Sequence, residues 1–341
     1  MSTPITRPIT LGLIGAGRIG RVHAESITRR LVGAKLVAVS DPFGDAAQRC
    51  ATDFGIPAAH QDHRALLDDP AIDAVVICSS TDTHTRLIIE AAEAGKHIFC
   101  EKPIALDLAE IDRALATVER CGVKLQIGFN RRFDSNFRHL HETVQSGAIG
   151  TPHLVRITSR DPAPPPIAYI KVSGGIFLDM TIHDFDMARY LMGSEVEEVY
   201  ASGAVLIDPA IGAAGDIDTA VITLRFANGA LGIIDNSRQA VYGYDQRAEV
   251  FGSAGAIEAQ NKTAHNTLLS TATNVQATKP LYFFLERYMD AYVAEMRAFI
   301  EAIQQNTIPL VTGLDGRAPV AIGLAAWRSY REKRPVRIDE L

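Results

Sequence analysis

Short, continuously apolar runs alternate with longer amphipathic segments along the first part of the chain. The first run is Ile9–Ile14, and similar runs recur until about residue 130. Unbroken apolar runs of this length are typical of parallel strands that helices cover on both faces. Strands are predicted at 9–14, 35–40, 74–78, 96–100 and 124–128, and helices at 20–30, 45–54, 62–67, 85–94 and 106–121. The pattern therefore predicts an α/β domain built on a doubly wound parallel sheet.

From about Pro152 the chain predicts a different arrangement. Strands are predicted at 153–159, 196–207, 219–226, 230–236 and 246–251. The pair Asn228-Gly229 lies between two of these strands and is a strong signal for a tight hairpin. The pattern therefore predicts an α+β domain with a large, mostly antiparallel, open sheet, and we divide the chain into domains of residues 1–128 and 129–341.

Two long helices and a polar segment complete the predicted second domain. Helical spacing of apolar residues predicts helices over 280–305 and 316–333, and the later one is expected to pack back on the first domain. Residues 261–279 are polar and have no periodicity, which predicts a mobile loop. We expect this domain to provide both a substrate surface and an oligomerisation surface.

Charge and composition restrict the classes of partner. The 341 residues carry a formal net charge of −6, which argues against a nucleic acid or an anionic membrane as partner. No apolar run is long enough to span a bilayer, and the N-terminus lacks the apolar core of a signal peptide. Cys50, Cys78, Cys100 and Cys121 show no Cys-x-x-Cys spacing, and no cluster has metal-ligand spacing. We therefore expect a cytoplasmic protein with reduced cysteines and no metal.

A glycine-rich turn joins the first predicted strand to the first predicted helix. Gly15 allows the tight turn, Gly17 lets the backbone approach a pyrophosphate, and the helix N-terminus then faces the phosphates. Asp41 follows the second strand, where a carboxylate accepts hydrogen bonds from ribose hydroxyls and repels a 2′-phosphate, so NAD is predicted over NADP. A turn of the same shape that binds no nucleotide is the alternative. The cofactor contacts predicted here are Gly15, Ala16, Gly17, Arg18, Ile19 and Asp41.

Polar residues also follow the strand predicted at 74–78, at the edge where doubly wound sheets bind ligands. We predict that they line the dinucleotide path, although a polar turn that caps the next helix explains them nearly as well. For the histidine of the group, a structural role is the alternative. The residues are Ser79, Ser80, Thr81 and His84.

The strand predicted at 96–100 is followed by Glu101-Lys102-Pro103. Proline restricts the preceding residue to extended geometry and so fixes the direction of Lys102. We predict that Glu101 and Lys102 border the cofactor, and that Lys102 donates to a substrate hydroxyl or to its developing alkoxide. The alternative is a surface lysine in an ordinary turn.

Residues 174–192 are predicted to form a helix with an unusual face. At helical spacing, Asp179, His183, Asp186 and Tyr190 fall on one side, where core apolar residues are the norm. A carboxylate one turn before a histidine can hold the imidazole in one tautomer and raise its basicity. The stretch therefore indicates a catalytic pair, and an ordinary Asp–His pair at the start of a helix is the alternative.

Four motifs together resemble the glucose-fructose oxidoreductase, inositol dehydrogenase and rhizopine-catabolism (GFO/IDH/MocA) family, and within it the bacterial myo-inositol 2-dehydrogenases. The motifs are Gly-Ala-Gly-Arg-Ile-Gly at 15–20, Glu-Lys-Pro at 101–103, Gly-Phe-Asn-Arg-Arg-Phe-Asp at 128–134 and Asp-x-x-x-His-Asp-x-Asp at 179–186. The resemblance covers nearly the whole chain. It implies an N-terminal Rossmann domain, a catalytic set of Lys102, Asp179 and His183, a cis bond before Pro103, and a homotetramer.

The resemblance implies oxidation of a ring secondary alcohol of a cyclic polyol, from myo-inositol to 2-keto-myo-inositol. We expect His183 to take the hydroxyl proton while the carbon gives hydride to NAD⁺. Lys102 is expected to donate to the same oxygen, and Asp179 to orient His183. The other hydroxyls are expected to meet Asn130, Arg131, Asp161, Asp186 and Tyr244.

Two departures from the inositol pattern leave the polyol open. Ser159-Arg160-Asp161 stands where some relatives have His and Asn, and Phe284 stands about where some have Trp. Another inositol isomer, a rhizopine or a pyranose sugar is therefore an alternative substrate. From other classes, a glycosidase that uses NAD⁺ transiently and a non-catalytic nucleotide-sensing regulator remain; net NADH formation from a free polyol excludes the first.

Overall fold

The computed structural model describes residues 7–341, which form two compact units. The first unit comprises the described residues up to Phe133 together with Met289–Val320, and the second comprises Asp134–Tyr288 and Ala321–Leu341. The domain division at residue 128 and the packing of the last helix on the first domain stay predictions. Within residues 7–341, no helix combines the length and the apolar character that crossing a membrane requires.

The first unit contains a six-stranded parallel sheet with helices between its strands. Its elements up to Phe133 are β1 (Ile9–Ile14), α1 (Arg18–Glu25), β2 (Ala34–Ser40), α2 (Gly44–Phe54), β3 (Ala58–His60), α3 (Arg64–Leu67), β4 (Ala74–Ile77), α4 (Thr81–Glu93), β5 (His97–Glu101), α5 (Leu108–Cys121) and β6 (Leu125–Gly128), with a π-helical turn at Ser26–Arg30 and a 3₁₀ turn at Asn130–Phe133. The strand order is β3-β2-β1-β4-β5-β6. This order confirms the predicted doubly wound sheet, and its direction of winding reverses between β1 and β4, where such sheets bind ligands.

Continuous burial explains why the strands of this sheet are apolar without alternation. All four residues of β4 are buried, and Leu11 and Leu13 of β1 are fully buried as well. Met296 and Phe299, from the returning segment of the first unit, belong to the same core. Each large apolar side chain removed from water in this way contributes about 1.5–3 kcal/mol.

The second unit is organised on a seven-stranded mixed sheet. The elements from Asp134 onward are α6 (Ser135–Gln145), β7 (Pro152–Arg160), α7 (Ile167–Ile170), α8 (Gly175–Asp179), α9 (Ile182–Met192), β8 (Val196–Ala204), α10 (Pro209–Ala213), β9 (Thr219–Phe226), β10 (Leu231–Ser237), β11 (Asp245–Gly252), β12 (Gly255–Ala259), β13 (Leu268–Ser270), β14 (Val275–Ala277), α11 (Phe284–Gln304), α12 (Gly313–Glu332) and β15 (Val336–Arg337), with a 3₁₀ turn at Ile338–Glu340. The strand order is β12-β11-β7-β10-β9-β8-β15, and only β7 and β10 pair in parallel. The predicted large, mostly antiparallel sheet is confirmed.

One face of the mixed sheet carries exposed side chains, several of them apolar. The strand register places Arg225 opposite Leu231, Leu231 beside Leu154, and Leu154 opposite Phe251, so these residues share a face. Leu231 and Phe251 on this face are each about half exposed. Strand residues alternate between the two faces, and the residues next to these in β9 and β10, Leu224 and Gly232, are buried. The sheet is therefore covered on one face and open on the other.

The predicted single helix over 174–192 is wrong, because the chain forms two helices there, α8 and α9. Gly174 directly precedes α8 and Gly175 is its first residue, and both have positive φ values. At the break, Oγ1 of Thr181 lies 3.1 Å from the carbonyl oxygen of Ile176 and 2.6 Å from Oδ1 of Asn236, so its one proton has two acceptors within reach. A side chain that competes for backbone acceptors in this way interrupts a helix. Asp179 therefore ends one helix and His183 lies in the first turn of the next.

Four further segments differ from the predictions. Residues 261–279 include the hairpin β13–β14, so the predicted loop has regular structure in part. Helix α11 begins at Phe284 rather than 280, and α12 begins at Gly313 rather than 316. Helix α4 begins at Thr81 rather than 85, which brings Thr81 and His84 into its first turn. The three helix differences lie at element boundaries, where the local pattern is weakest, whereas the hairpin lies within the predicted loop.

Candidate active site

The glycine turn of the first unit has a shape that only glycine allows. Gly15 has a φ of +99°, and a Cβ atom there would lie 2.7 Å from the carbonyl carbon and oxygen of Cys78. A Cβ atom on Gly20 would lie 2.0 Å from the carbonyl oxygen of Gly15, whereas one on Gly17 would have no atom within 4 Å. Gly15 and Gly20 are thus required by close packing, and the backbone of Gly17 borders open space. Arg18 and Ile19 begin α1 directly after this turn.

Asp41 lies at the end of β2, beside the glycine turn. Its Oδ2 accepts the backbone N–H of Ala16 at 2.8 Å, and its Oδ1 accepts that of Phe43 at 2.9 Å. The carboxylate is therefore held in place, and each oxygen retains a further lone pair for a ribose hydroxyl. The open space at Gly17, the N-terminus of α1 and this fixed carboxylate together fit a dinucleotide without a 2′-phosphate.

We expect the double variant Asp41→Ser, Pro42→Arg to change the cofactor preference. Loss of the repelling carboxylate and gain of a cation both favour a 2′-phosphate, so the ratio of kcat/KM for NADP⁺ over NAD⁺ is expected to rise at least roughly tenfold. Because Asp41 also accepts the N–H of Ala16, part of the change is expected as weaker NAD⁺ binding. The control is Glu119→Ala, which removes an exposed carboxylate on α5. An unchanged ratio in the double variant would show that Asp41 does not meet the ribose.

Polar residues after β4 surround the N-terminus of α4. Ser80 precedes the helix and Thr81 begins it, while the hydroxyl of Ser79 lies 2.6 Å from that of Thr83. The backbone N–H groups of a first helical turn lack intrahelical partners, so this turn can bind an anionic or polar group. That Ser79, Ser80 and Thr81 line the path of the dinucleotide stays a prediction.

His84 is buried and connects two turns at the carboxyl edge of the sheet. Its Nδ1 lies 2.8 Å from the carbonyl oxygen of Pro103, and its Nε2 lies 3.1 Å from that of Ser79. Burial lowers the pKa of His84, although the two carbonyls oppose that shift. The ring thus joins the turn after β4 to the turn that carries Lys102, and both of its nitrogens face protein carbonyls. The predicted contact of His84 with the cofactor stays a prediction. The Lys102–Pro103 peptide bond is cis, as the resemblance implied.

Glu101 belongs to a buried cluster with His23 of α1 and Glu295 of α11. The Nε2 of His23 lies 2.7 Å from Oε1 of Glu101. One imidazole nitrogen of His23 and one carboxyl oxygen from each glutamate lie within 4.8 Å of one another. Burial, and next the charge of Glu101, raise the pKa of Glu295 well above its ordinary value. This shift favours the neutral form of the Glu295 carboxyl, which limits the negative charge of the cluster. The side chain of Glu101 lies at this cluster, directly before Lys102 in sequence.

In the second unit, Asp179 ends α8 with both carboxylate oxygens engaged. Tyr169 donates its hydroxyl to Oδ1 at 2.8 Å, and Nη1 of Arg238 lies 3.5 Å from Oδ2. Neither partner was predicted from the sequence. Tyr169 belongs to the short helix α7, and Arg238 directly follows β10, so no local pattern relates them to Asp179.

His183 lies partly exposed in the first turn of α9, and the next residue, Asp184, is fully buried. Nδ2 of Asn236 donates a hydrogen bond to Oδ2 of Asp184 at 2.9 Å. Oδ1 of Asn236 accepts a hydrogen bond from the hydroxyl of Thr181. Three polar side chains thus fix the start of α9 against β10. This network sets the position of the backbone that carries His183, and no local sequence pattern predicts it.

The predicted substrate contacts lie in both units. Asn130 and Arg131 are buried in the 3₁₀ turn after β6 of the first unit. In the second unit, Asp161 follows β7 and makes backbone hydrogen bonds with Ser237 and Ala240. Asp186 is buried in α9, and Tyr244 is buried with its ring beside those of Phe283 and Tyr288. Their contacts with a substrate stay predictions.

Two family models match the chain. The model described as an oxidoreductase family with an NAD-binding Rossmann fold matches residues 9–129. The model described as the GFO/IDH/MocA C-terminal domain matches residues 137–258. The first match includes the glycine turn and the residues that follow β2, β4 and β5. The second match includes both helices of the 174–192 stretch.

Curated relatives and solved structures match over nearly the full length. The chain is 53% identical to myo-inositol 2-dehydrogenase of Thermotoga maritima, over 97% of this chain and 99% of that protein. It is 48% identical to inositol 2-dehydrogenase of Rhizobium meliloti, again over 97% of this chain and 99% of that protein. A structure of scyllo-inositol dehydrogenase from Lactobacillus casei with NAD(H) and scyllo-inositol bound matches with a TM-score of 0.91 at 30% identity, over 98% of this chain and 100% of that chain. The likeness therefore extends through both units.

Proposed function

Since the chain belongs to the GFO/IDH/MocA family of NAD-dependent oxidoreductases, we propose that it oxidises myo-inositol to 2-keto-myo-inositol with NAD⁺. The observation that carries the proposal is the similarity to the Thermotoga maritima myo-inositol 2-dehydrogenase, which includes both units. The glycine turn and Asp41 support the cofactor, because they leave room at Gly17 and provide a fixed carboxylate for the ribose. Bound NAD⁺ supplies the hydride acceptor.

The chemistry requires a base for the hydroxyl proton and a donor for the developing alkoxide. In the proposal, His183 takes the proton of the ring hydroxyl, so that the hydrogen on the same carbon leaves as hydride and the carbon becomes a ketone. Lys102 donates to the reacting oxygen. Asp179 orients His183 and stabilises the imidazolium that forms. Partial exposure of His183 and Lys102 supports these roles, because both side chains retain access to a ligand.

The remaining hydroxyls of the ring would be recognised by Asn130, Arg131, Asp161, Asp186 and Tyr244. A polyol needs paired donors and acceptors, and buried polar groups such as Asn130 and Asp186 penalise a substrate that lacks the matching hydroxyl. scyllo-Inositol is the second candidate, because the Lactobacillus casei relative carries it together with NAD(H). The two isomers differ only at one carbon, so the placement of these side chains decides between them.

A substrate panel tests the proposal. NADH formation is followed with myo-, scyllo- and D-chiro-inositol and with glucose, each with NAD⁺ and with NADP⁺. We expect the largest kcat/KM for myo-inositol with NAD⁺. A larger kcat/KM for scyllo-inositol or for glucose would overturn the proposed substrate but would still support an NAD-dependent dehydrogenase. Absence of NADH formation with every polyol would reject the dehydrogenase.

A homotetramer in the cytoplasm completes the proposal. The open face of the mixed sheet supports an assembly, because it exposes Tyr200, Val221, Leu231 and Phe251. Apolar side chains grouped on one exposed face are typical of surfaces that associate.

A further inference from the structure

Arg238 carries a guanidinium group in the interior of the second unit. Its residue exposure is 1%, and it is among the largest fully buried side chains of the described residues. Its backbone N–H donates to the carbonyl of Asp218 at 2.8 Å, which fixes its position directly after β10. A buried cation requires compensating partners, because transfer out of water costs several kcal/mol per ion even after relaxation.

Two carboxylates provide that compensation. Nη2 of Arg238 donates to Oδ2 of Asp216 at 3.1 Å, and Nη1 lies 3.5 Å from Oδ2 of Asp179. Oδ1 of Asp216 also accepts the backbone N–H of Ile176 in α8, at 2.9 Å. Arg238 and Asp216 are therefore tied to the same short helix that ends in Asp179.

Gly175 makes this arrangement possible at the start of α8. A Cβ atom at this position would lie 2.8 Å from Oδ1 of Asp216 and 2.5 Å from the ring of Trp327. Any other residue would therefore move Asp216 or the ring. The glycine lets the Asp216 carboxylate lie against the N-terminal turn of α8.

The buried guanidinium of Arg238 is incompletely hydrogen-bonded. Nε of Arg238 has no hydrogen-bond partner among residues 7–341, although it is buried. An incompletely satisfied buried ion pair is often less stable than apolar residues of the same volume. Stabilisation of the fold is therefore a weak explanation for an arginine at this position, and a functional role explains it better.

Tyr169 holds the other side of the same carboxylate. Its hydroxyl donates to Oδ1 of Asp179 at 2.8 Å, while its residue is 46% exposed. The guanidinium and the phenol thus approach the two oxygens of Asp179 from different elements. With a donor on each oxygen, rotation of the carboxylate about its Cβ–Cγ bond is restricted.

We propose that Arg238 and Tyr169 are positioning residues that hold the carboxylate of Asp179 in one orientation for its action on His183. The inference rests on the proposed function, in which Asp179 orients the base. An alignment error at a supporting group slows proton transfer without weakening the binding of substrate or cofactor. If Arg238 merely neutralises Asp216, its replacement changes stability and leaves turnover per folded enzyme unchanged.

Tyr169→Phe is the decisive variant, because it removes one hydroxyl from a half-exposed ring and keeps the ring itself. Loss of a hydrogen bond to a charged group is expected to lower kcat about tenfold. The KM for the inositol and the dissociation constant for NADH are expected to stay within about twofold of wild type. The matched control is Tyr282→Phe, a tyrosine of the same unit with 61% exposure, and it is expected to keep the wild-type kcat.

Arg238→Lys tests the guanidinium with its charge retained. One ammonium cannot span Asp179 and Asp216 as the planar fork does, so kcat is expected to fall on the order of 10²-fold with a similar KM. Thermal unfolding of each variant separates a loss of folded protein from a loss of turnover.

Different results would reject the proposed function and the positioning role of Arg238 and Tyr169. A wild-type enzyme that oxidises no polyol of the panel rejects the proposed function and this inference with it. An active wild type, together with a Tyr169→Phe enzyme of unchanged kcat, rejects the positioning role alone. A raised KM with unchanged kcat in both variants would likewise overturn it, because it would assign the two residues to binding.

Discussion

The variant His183→Ala is expected to lose a factor of roughly 10²–10⁴ in kcat, which is the contribution typical of a positioned general base. Alanine leaves the hydroxyl proton without an acceptor, so hydride departure would have to generate a protonated ketone. NADH binding is expected to stay near the wild-type affinity, because the glycine turn and Asp41 belong to the first unit while His183 belongs to the second. The measurements are kcat with myo-inositol and the dissociation constant of NADH by fluorescence.

Asp179→Asn extends this test to the carboxylate. It keeps the shape of the side chain and removes the charge that stabilises the imidazolium, so kcat is expected to fall roughly tenfold to a hundredfold. The control is His139→Ala, which removes an exposed histidine of α6 in the same unit. If Asp179 and His183 merely connect two short helices, each variant loses a few degrees of melting temperature and little turnover. Folded, NADH-binding variants within about threefold of the wild-type kcat would contradict the base assignment.

Lys102→Ala is expected to lower kcat by roughly 10²–10³, the cost of removing one donor aimed at a developing oxyanion. Lys102→Arg is expected to recover only part of this loss, since the planar guanidinium is larger and donates in a different geometry. Because a lysine donor stabilises the transition state more than the bound alcohol, kcat is expected to fall more than KM rises.

The control for Lys102 is Lys35→Ala, an exposed lysine in the same unit. The measurement is kcat and KM for myo-inositol, with the melting temperature of each variant. A Lys102→Ala enzyme with normal kcat and a raised KM would make Lys102 a binding residue rather than a catalytic one.

Hydrophobic patterning alone determined much of the first unit. Strands such as β1 and β4 are buried on both faces by helices, so their apolar runs are continuous and visible in the sequence. The spacing of Gly15, Gly17 and Gly20 has meaning only between a strand and a helix, and that context is local as well. β3 was missed because its three residues are only partly buried and leave no apolar run.

The sequence was weaker at element boundaries and within the 174–192 stretch. Asp179 and His183 have the spacing of neighbours on one helix, but the hydroxyl of Thr181 competes for backbone and amide acceptors between them. Asn236, the second acceptor, belongs to β10 and is remote in sequence. The break therefore depends on a long-range contact that helical periodicity does not contain.

The sequence thus determined which residues form the candidate site. The tertiary structure decided which side chains hold them in place. Lys102, Asp179 and His183 were named from short motifs, because a motif records which chemical groups follow one another along the chain. Tyr169, Asp216 and Arg238 carry no such signal. Tyr169 and Arg238 meet Asp179, and Asp216 meets Arg238, only when the second unit folds. Hydrogen bonds and ion pairs between distant segments depend on distance in space, and a single sequence gives distance only along the chain.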